Sequence, residues 1–125
     1  MVEALRREEV VELAAWSALD FRTYMEFVRG WRVKRHQEEW FEALQALADG
    51  ELVDDEGAPT NKCMIWAFPG SAKTHIGGIG YAEWTIGREV IAGRDPEVGY
   101  ICYGDQISAL RGAAIKDTIA NNPRY

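Results

Sequence analysis

The seven residues Phe68-Pro69-Gly70-Ser71-Ala72-Lys73-Thr74 carry the most specific chemistry in the sequence. An apolar run, Cys63-Met64-Ile65-Trp66-Ala67-Phe68, leads into them, and a helix-forming stretch follows. A loop between a buried strand and a helix is the setting that a phosphate-binding loop requires. Successive backbone N–H groups curl around an anion as a nest, and the N-terminal end of the following helix adds partial positive charge. In that reading Pro69, Gly70, Ser71 and Ala72 shape the cradle. Lys73 reaches the β- and γ-phosphates as the catalytic cation, and the Thr74 hydroxyl holds Mg²⁺, an ion that keeps several of its waters.

The loop departs from the full pattern G-x-x-x-x-G-K-[ST], which asks for glycine six residues before the lysine and immediately before it. Ala67 and Ala72 stand at those places. Alanine tolerates positive φ poorly, so the loop must be built differently or carry strain. The alternative is an ordinary Pro-Gly turn with Lys73 solvated at a helix start. A lysine in the first helical turn opposes the helix dipole, which favours the functional reading.

The elements that must position this loop follow from periodicity. Residues 3–18 predict a helix with Val10, Leu13, Ala14 and Ser17 on one side. Asp20 is a good N-cap for a second helix, whose Phe21, Tyr24, Met25 and Val28 fall on one face and which Gly30 ends. Residues 31–35 form a short basic link. A third helix over about 36–48 turns Trp40, Leu44 and Leu47 inward, flanked by Phe41 and Ala48, and Asp49-Gly50 stops it. The acidic stretch 49–61 reads as a solvated loop or small hairpin, with Asp54-Asp55-Glu56 in it. Beyond it the pattern switches to a strand over 63–68, a helix over roughly 73–88, a second strand over 98–103 and a last helix over about 106–120. That last helix is capped by Asp105, turns Ile107, Leu110, Ala114, Ile115 and Ile119 inward, and is ended by Asn121-Asn122-Pro123. The expected fold is therefore α/β, an incomplete βαβ unit with parallel strands, preceded by an α-helical lead-in. The expected divisions are 1–48 for the lead-in, 49–61 for the linker and 62–125 for the phosphate-loop core.

The order and spacing of several segments resemble the N-terminal ATPase part of tailed-phage terminase large subunits, the DNA-packaging motors. Pro69-Gly70-Ser71-Ala72-Lys73-Thr74 resembles their variant Walker A loop, in which alanine before the lysine is common. Phe21 to Phe27 followed by His36-Gln37-Glu38-Glu39-Trp40 is similar to the segment before their ATPase strand. Tyr81-Ala82-Glu83-Trp84 with Gly87-Arg88 is similar to the helix after the loop. Tyr100-Ile101-Cys102-Tyr103, continuing into Ser108-Ala109-Leu110-Arg111 and Asn122-Pro123-Arg124-Tyr125, is similar to their second strand and helix.

The resemblance covers about residues 20–125. It implies a P-loop NTPase fold, ATP and Mg²⁺ as cofactors, Gln37 reading the adenine edge, and translocation of double-stranded DNA into procapsids. It further implies a small terminase subunit and a portal as partners, a homo-oligomeric ring, and a place in the host cytoplasm during virus assembly. The family's Walker B strand and C-terminal nuclease have no counterpart here, since Asp54-Asp55-Glu56 precedes the loop. The chain is then expected to be the N-terminal portion of a longer protein, or a truncated product, inactive by itself. Two other readings stay open: another nucleic-acid-stimulated P-loop ATPase of helicase type, or a nucleotide-binding or interaction module without hydrolysis.

Composition bounds these readings. The 125 residues are 47% hydrophobic and 27% charged, an ordinary globular balance that excludes whole-chain disorder. No run approaches the roughly 18 apolar residues of a membrane span, and no signal core opens the chain. Residues 1–60 hold 7 Lys+Arg against 14 Asp+Glu, and residues 61–125 hold 7 against 6, which gives the net −6. No broad basic footprint for nucleic acid is present. Cys63 and Cys102 fall in apolar runs and are expected to be small buried hydrophobes in a reducing compartment. His36 and His75 lack the neighbours of a zinc site. Gly77, Gly78 and Gly80 are expected to permit close packing of the helix on the sheet, Arg111 to be solvated, and the five tryptophans to lie in the core.

Overall fold

A computed structural model describes residues 6–67, 71–99 and 105–125. The elements, in chain order, are α1 (Arg7–Leu19), α2 (Phe21–Phe27), a 3₁₀ turn (Arg35–Gln37), α3 (Glu38–Asp49), a π-helical stretch (Thr74–Gly80) that runs into α4 (Tyr81–Ile91), and α5 (Asp105–Asn121).

Local sequence signals account for the N-terminal helices. Asp20 caps α2, its carboxylate accepting from the Thr23 N–H at 2.9 Å and from the Thr23 hydroxyl at 2.6 Å. The face Phe21, Tyr24, Met25 and Val28 is buried as the periodicity requires. Gly50, with φ +72°, takes the left-handed position that closes α3. Residues 51–60 form a small hairpin in which the Asp54 carboxylate accepts from the backbone N–H groups of Glu56 and Ala58. One antiparallel bridge, Val53 to Pro59, fastens it.

Phe21 is the hub of the core. Its ring lies 5.1 Å from Phe41 of α3, 5.3 Å from Trp84 and 5.4 Å from Tyr81 of α4. These ring pairs join α2, α3 and α4 in tilted and edge-on geometries, which aromatic quadrupoles favour. The Trp84 indole donates to the Ser17 carbonyl at 3.0 Å and ties α1 to the same core. At Gly80 the start of α4 presses on α2. A Cβ there would collide with Met25 Sδ and come within 2.9 Å of the His75 carbonyl oxygen.

A buried ionic clasp holds α4 against α2 and α5. The carboxylate of Glu83, wholly buried, accepts from Tyr24 Oη at 2.9 Å and from Arg29 Nε at 2.9 Å, and Arg29 Nη2 reaches its other oxygen. Arg29 also donates to Thr118 Oγ1 of α5 at 2.9 Å. Tyr125 Oη donates to the Glu83 carbonyl at 2.9 Å. Burial pushes the Tyr24 hydroxyl well above its usual range, and the Glu83 charge and hydrogen bond add to the shift.

The expected α/β fold is corrected. Among the described residues there is no strand and no sheet, and helix is the dominant regular structure. Residues 63–67 have irregular backbone with no strand paired to them, and Val98-Gly99 is irregular as well. Residues 100–103 of the second expected strand lie outside the described residues. The physical reason is visible at 63–67. Ile65 packs against the helical core, but Met64 is 75% exposed and Trp66 86% exposed. An apolar run signals burial only where a neighbouring ladder exists to bury it, and a short run does not specify that neighbour. Cys63 is exposed, contrary to the buried role expected for it, and Cys102 lies outside the described residues. Trp16 is exposed too, and in α5 Ile115 is buried while Leu110 is 69% exposed. The glycine-dependent close approach at Gly80 is between helices, not between helix and sheet.

Candidate functional site

Residues 67 and 71–74 are described, and Phe68, Pro69 and Gly70 lie outside the described residues. Lys73 Nζ donates to the Ala67 carbonyl at 2.9 Å. Lys73 is exposed and has no ion-pair partner among the described residues.

Ala72 has φ +69° and is the one non-glycine residue with positive φ among those described. This conformation costs an L-residue about 1–2 kcal/mol. Lys73 after it is right-handed, with φ −55° and ψ −34°. A left-handed residue beside a right-handed one is the arrangement in which neighbouring N–H groups converge into an anion nest. The helix begins there: Ile76 N–H donates to the Ala72 carbonyl at 3.1 Å. The N–H groups ahead of Ile76 have no helical carbonyl one turn back.

Ser71 and Gln37 brace the loop from beneath. Ser71 is 3% exposed and its Oγ has no hydrogen-bond partner among the described residues. Gln37, 1% exposed, donates from Nε2 to the Ser71 carbonyl at 3.2 Å. Its Oε1 accepts from the Trp31 indole at 3.2 Å and from the Lys34 N–H at 3.1 Å. The resemblance implied that Gln37 reads a nucleotide base; in the structure its amide oxygen anchors the basic link and its amide N–H donates to the Ser71 carbonyl. His75 is exposed, and its ring lies 6.2 Å from that of Trp31.

Lys73 and the half-buried Thr74 edge a cavity of about 400 Å³. Leu44 and Leu47 of α3, Gly77 and Gly78 of the π-helical stretch, Tyr81 of α4 and the irregular residues Cys63 and Ile65 complete its wall. That volume falls at the lower end of small-ligand sites. Burial pushes the Tyr81 hydroxyl above its usual range. A second cavity, of about 310 Å³, is lined by Tyr24, Trp84, Ile86, Ile119 and Tyr125 among others and includes none of the loop residues.

The residue types at 71–74 include groups that could take a phosphate and Mg²⁺. The buried Ser71 hydroxyl without a hydrogen-bond partner, the positive-φ Ala72, the Lys73 amine and the Thr74 hydroxyl follow one another at residues 71–74. No cluster of three or more His, Cys, Asp and Glu able to hold a metal occurs among the described residues. A Mg²⁺ held by one hydroxyl, phosphate oxygens and water needs no such cluster.

Sequence reasoning did not find the Glu83–Arg29–Tyr24 clasp. Its signal was a carboxylate one position before the tryptophan of an apolar helix face, in Tyr81-Ala82-Glu83-Trp84. Comparison with protein-family models, curated proteins and solved structures finds no match to the chain.

Proposed function

We propose that residues 67–74 bind the phosphates of Mg·ATP, and that the chain serves the ATP-driven part of a double-stranded-DNA packaging motor of the terminase large-subunit type. One observation carries this: the Lys73 ammonium donates to the Ala67 carbonyl. A lysine held there exchanges a neutral acceptor for a charged phosphate oxygen without rebuilding the backbone. Among the described residues no strand precedes the loop; Gln37 holds the Ser71 carbonyl and a helix begins at Lys73.

The bound nucleotide supplies a γ-phosphoryl group whose transfer to water spreads negative charge over its oxygens. Lys73 would neutralise that charge, the backbone N–H groups of residues 71–74 would orient the phosphates, and the Thr74 hydroxyl would hold Mg²⁺. The Ser71 hydroxyl gives the cradle one further polar group. In this assignment a portal, a small terminase subunit and further copies of the chain are the partners, in the cytoplasm of an infected host.

Calorimetric titration of the chain with Mg·ATP tests it. Loss of a hydrogen bond between charged groups is worth about 1.5–3 kcal/mol, so Lys73→Ala weakens affinity roughly 10- to 100-fold. Equal affinity in a folded Lys73→Ala protein would refute the assignment.

A further inference from the structure

We infer that the basic link 31–35 is a ridge that takes the phosphodiester backbone of duplex nucleic acid. The link alternates. Trp31 and Val33 pack against the helical core, while Arg32, Lys34 and Arg35 are exposed. Trp31 is fixed at its backbone by the Met25 carbonyl at 2.9 Å and at its indole by Gln37. Lys34 is extended, with φ −96° and ψ 155°. Successive side chains of an extended segment point to opposite sides. The two apolar anchors therefore present Arg32 and Lys34 outward on one side, and Arg35 is exposed next to them at the start of the 3₁₀ turn.

These three cations have no ion-pair partner among the described residues. Arg6, Arg22, Arg29, Arg88 and Arg94 are all paired. Three unpaired cations within four residues stand out in a half of the chain that carries 14 acidic against 7 basic residues. The nearest acids in sequence are Glu38 and Glu39, exposed at the start of α3. Among the described residues, neither forms an ion pair with Arg32, Lys34 or Arg35.

The clustering of the three cations selects the ligand. A rod-like polyanion touches them and leaves the acidic flanks free, whereas a plane of anionic lipid brings those flanks into repulsive contact. Lipid surfaces also take amphipathic helices with apolar side chains facing outward, and here Trp31 and Val33 face the core. Guanidinium forks match phosphate oxygens. The ridge goes beyond the nucleotide loop and rests on the packaging assignment only for the choice of duplex DNA as the probe.

The test is binding of a short random-sequence DNA duplex to the 125-residue chain, without nucleotide, across a salt series. The outcome is thereby separate from that of the ATP titration. Three phosphate contacts contribute a slope of about −2.7 in log K against log salt. The triple variant Arg32→Gln, Lys34→Gln, Arg35→Gln is expected to lose that part of the slope. The wild-type advantage then shrinks roughly 40-fold between about 50 and 200 mM salt. Each single glutamine variant removes about 0.9 of the slope, so the result does not hang on one multiple variant folding. Arg32→Lys with Arg35→Lys keeps it. The inference is overturned if the slopes of wild type and variants coincide. Absence of duplex binding at low salt also overturns it, as does equal or stronger capture by phosphatidylserine vesicles or polyglutamate.

Discussion

Replacing Ala72 by glycine relieves the one strained non-glycine backbone position among the described residues, and its effect can be worked from the structure. At φ +69° the alanine bears about 1–2 kcal/mol of left-handed strain. Glycine removes that strain but returns about 0.5–1 kcal/mol as added freedom of the unfolded chain. It also gives up a half-buried methyl group. The net expectation is a protein more stable by about 0.5 kcal/mol. With a urea slope of about 1–3 kcal/mol/M, the midpoint rises by roughly 0.3 M. Urea unfolding followed by tryptophan fluorescence reads this directly, since Trp84 is buried at the core. The same chemical change at Ala43, inside α3, costs about 1 kcal/mol. The two alanine-to-glycine variants must therefore move the midpoint in opposite directions. Ala72→Val, a branched side chain at positive φ, moves it down by at least as much as Ala43→Gly. An Ala72→Gly protein as destabilised as Ala43→Gly would refute the strained-nest geometry.

Glu83→Ala leaves Arg29 and Tyr24 without their shared acceptor and is expected to cost about 3 kcal/mol in urea unfolding, with Glu83→Gln costing less; a loss under about 0.5 kcal/mol would contradict the clasp. Gly80→Ala forces Met25 aside and meets the His75 carbonyl, so the thermal midpoint drops despite alanine's better helix propensity, by an amount equivalent to about 1–2 kcal/mol. Desolvation pushes the Asp49 carboxyl up, but hydrogen bonds from Gln45 and Arg88 and the Arg88 charge more than offset it and hold it below the usual range. A depressed carboxyl stabilises the fold above its unfolded pKa of about 4 and loses that contribution as pH falls through its folded value. Asp49→Asn is therefore expected to flatten the acid limb of stability against pH below about 4 and to cost under about 1 kcal/mol at neutrality.

What was legible in the sequence was whatever short-range chemistry decides. The Asp20 cap, the face Phe21-Tyr24-Met25-Val28, the glycine that ends α3 and the acidic hairpin each follow from residues within a few positions of one another. Alanine before Lys73 left two alternatives, a loop built differently or one under strain, and Ala72 takes positive φ, because backbone sterics are local. The absence of a sheet among the described residues was not legible. Burial of residues 63–67 depends on neighbours distant in sequence, and the same apolar run leaves Trp66 in solvent. The clasp was hidden for the same reason, since Arg29, Glu83 and Thr118 meet across the chain. Gln37 was placed near the loop by analogy, and its actual bond to the Ser71 carbonyl needed coordinates.

The most direct measurement is the backbone amide spectrum of the chain, recorded while Mg·ATP is added. Phosphates seated in residues 67–74 move the Ser71, Ala72, Lys73 and Thr74 amides most, and Lys73→Ala abolishes those movements at the same nucleotide concentration. Changes confined to residues around the Tyr24–Trp84 cavity, or no changes at all, would contradict a phosphate site at this loop.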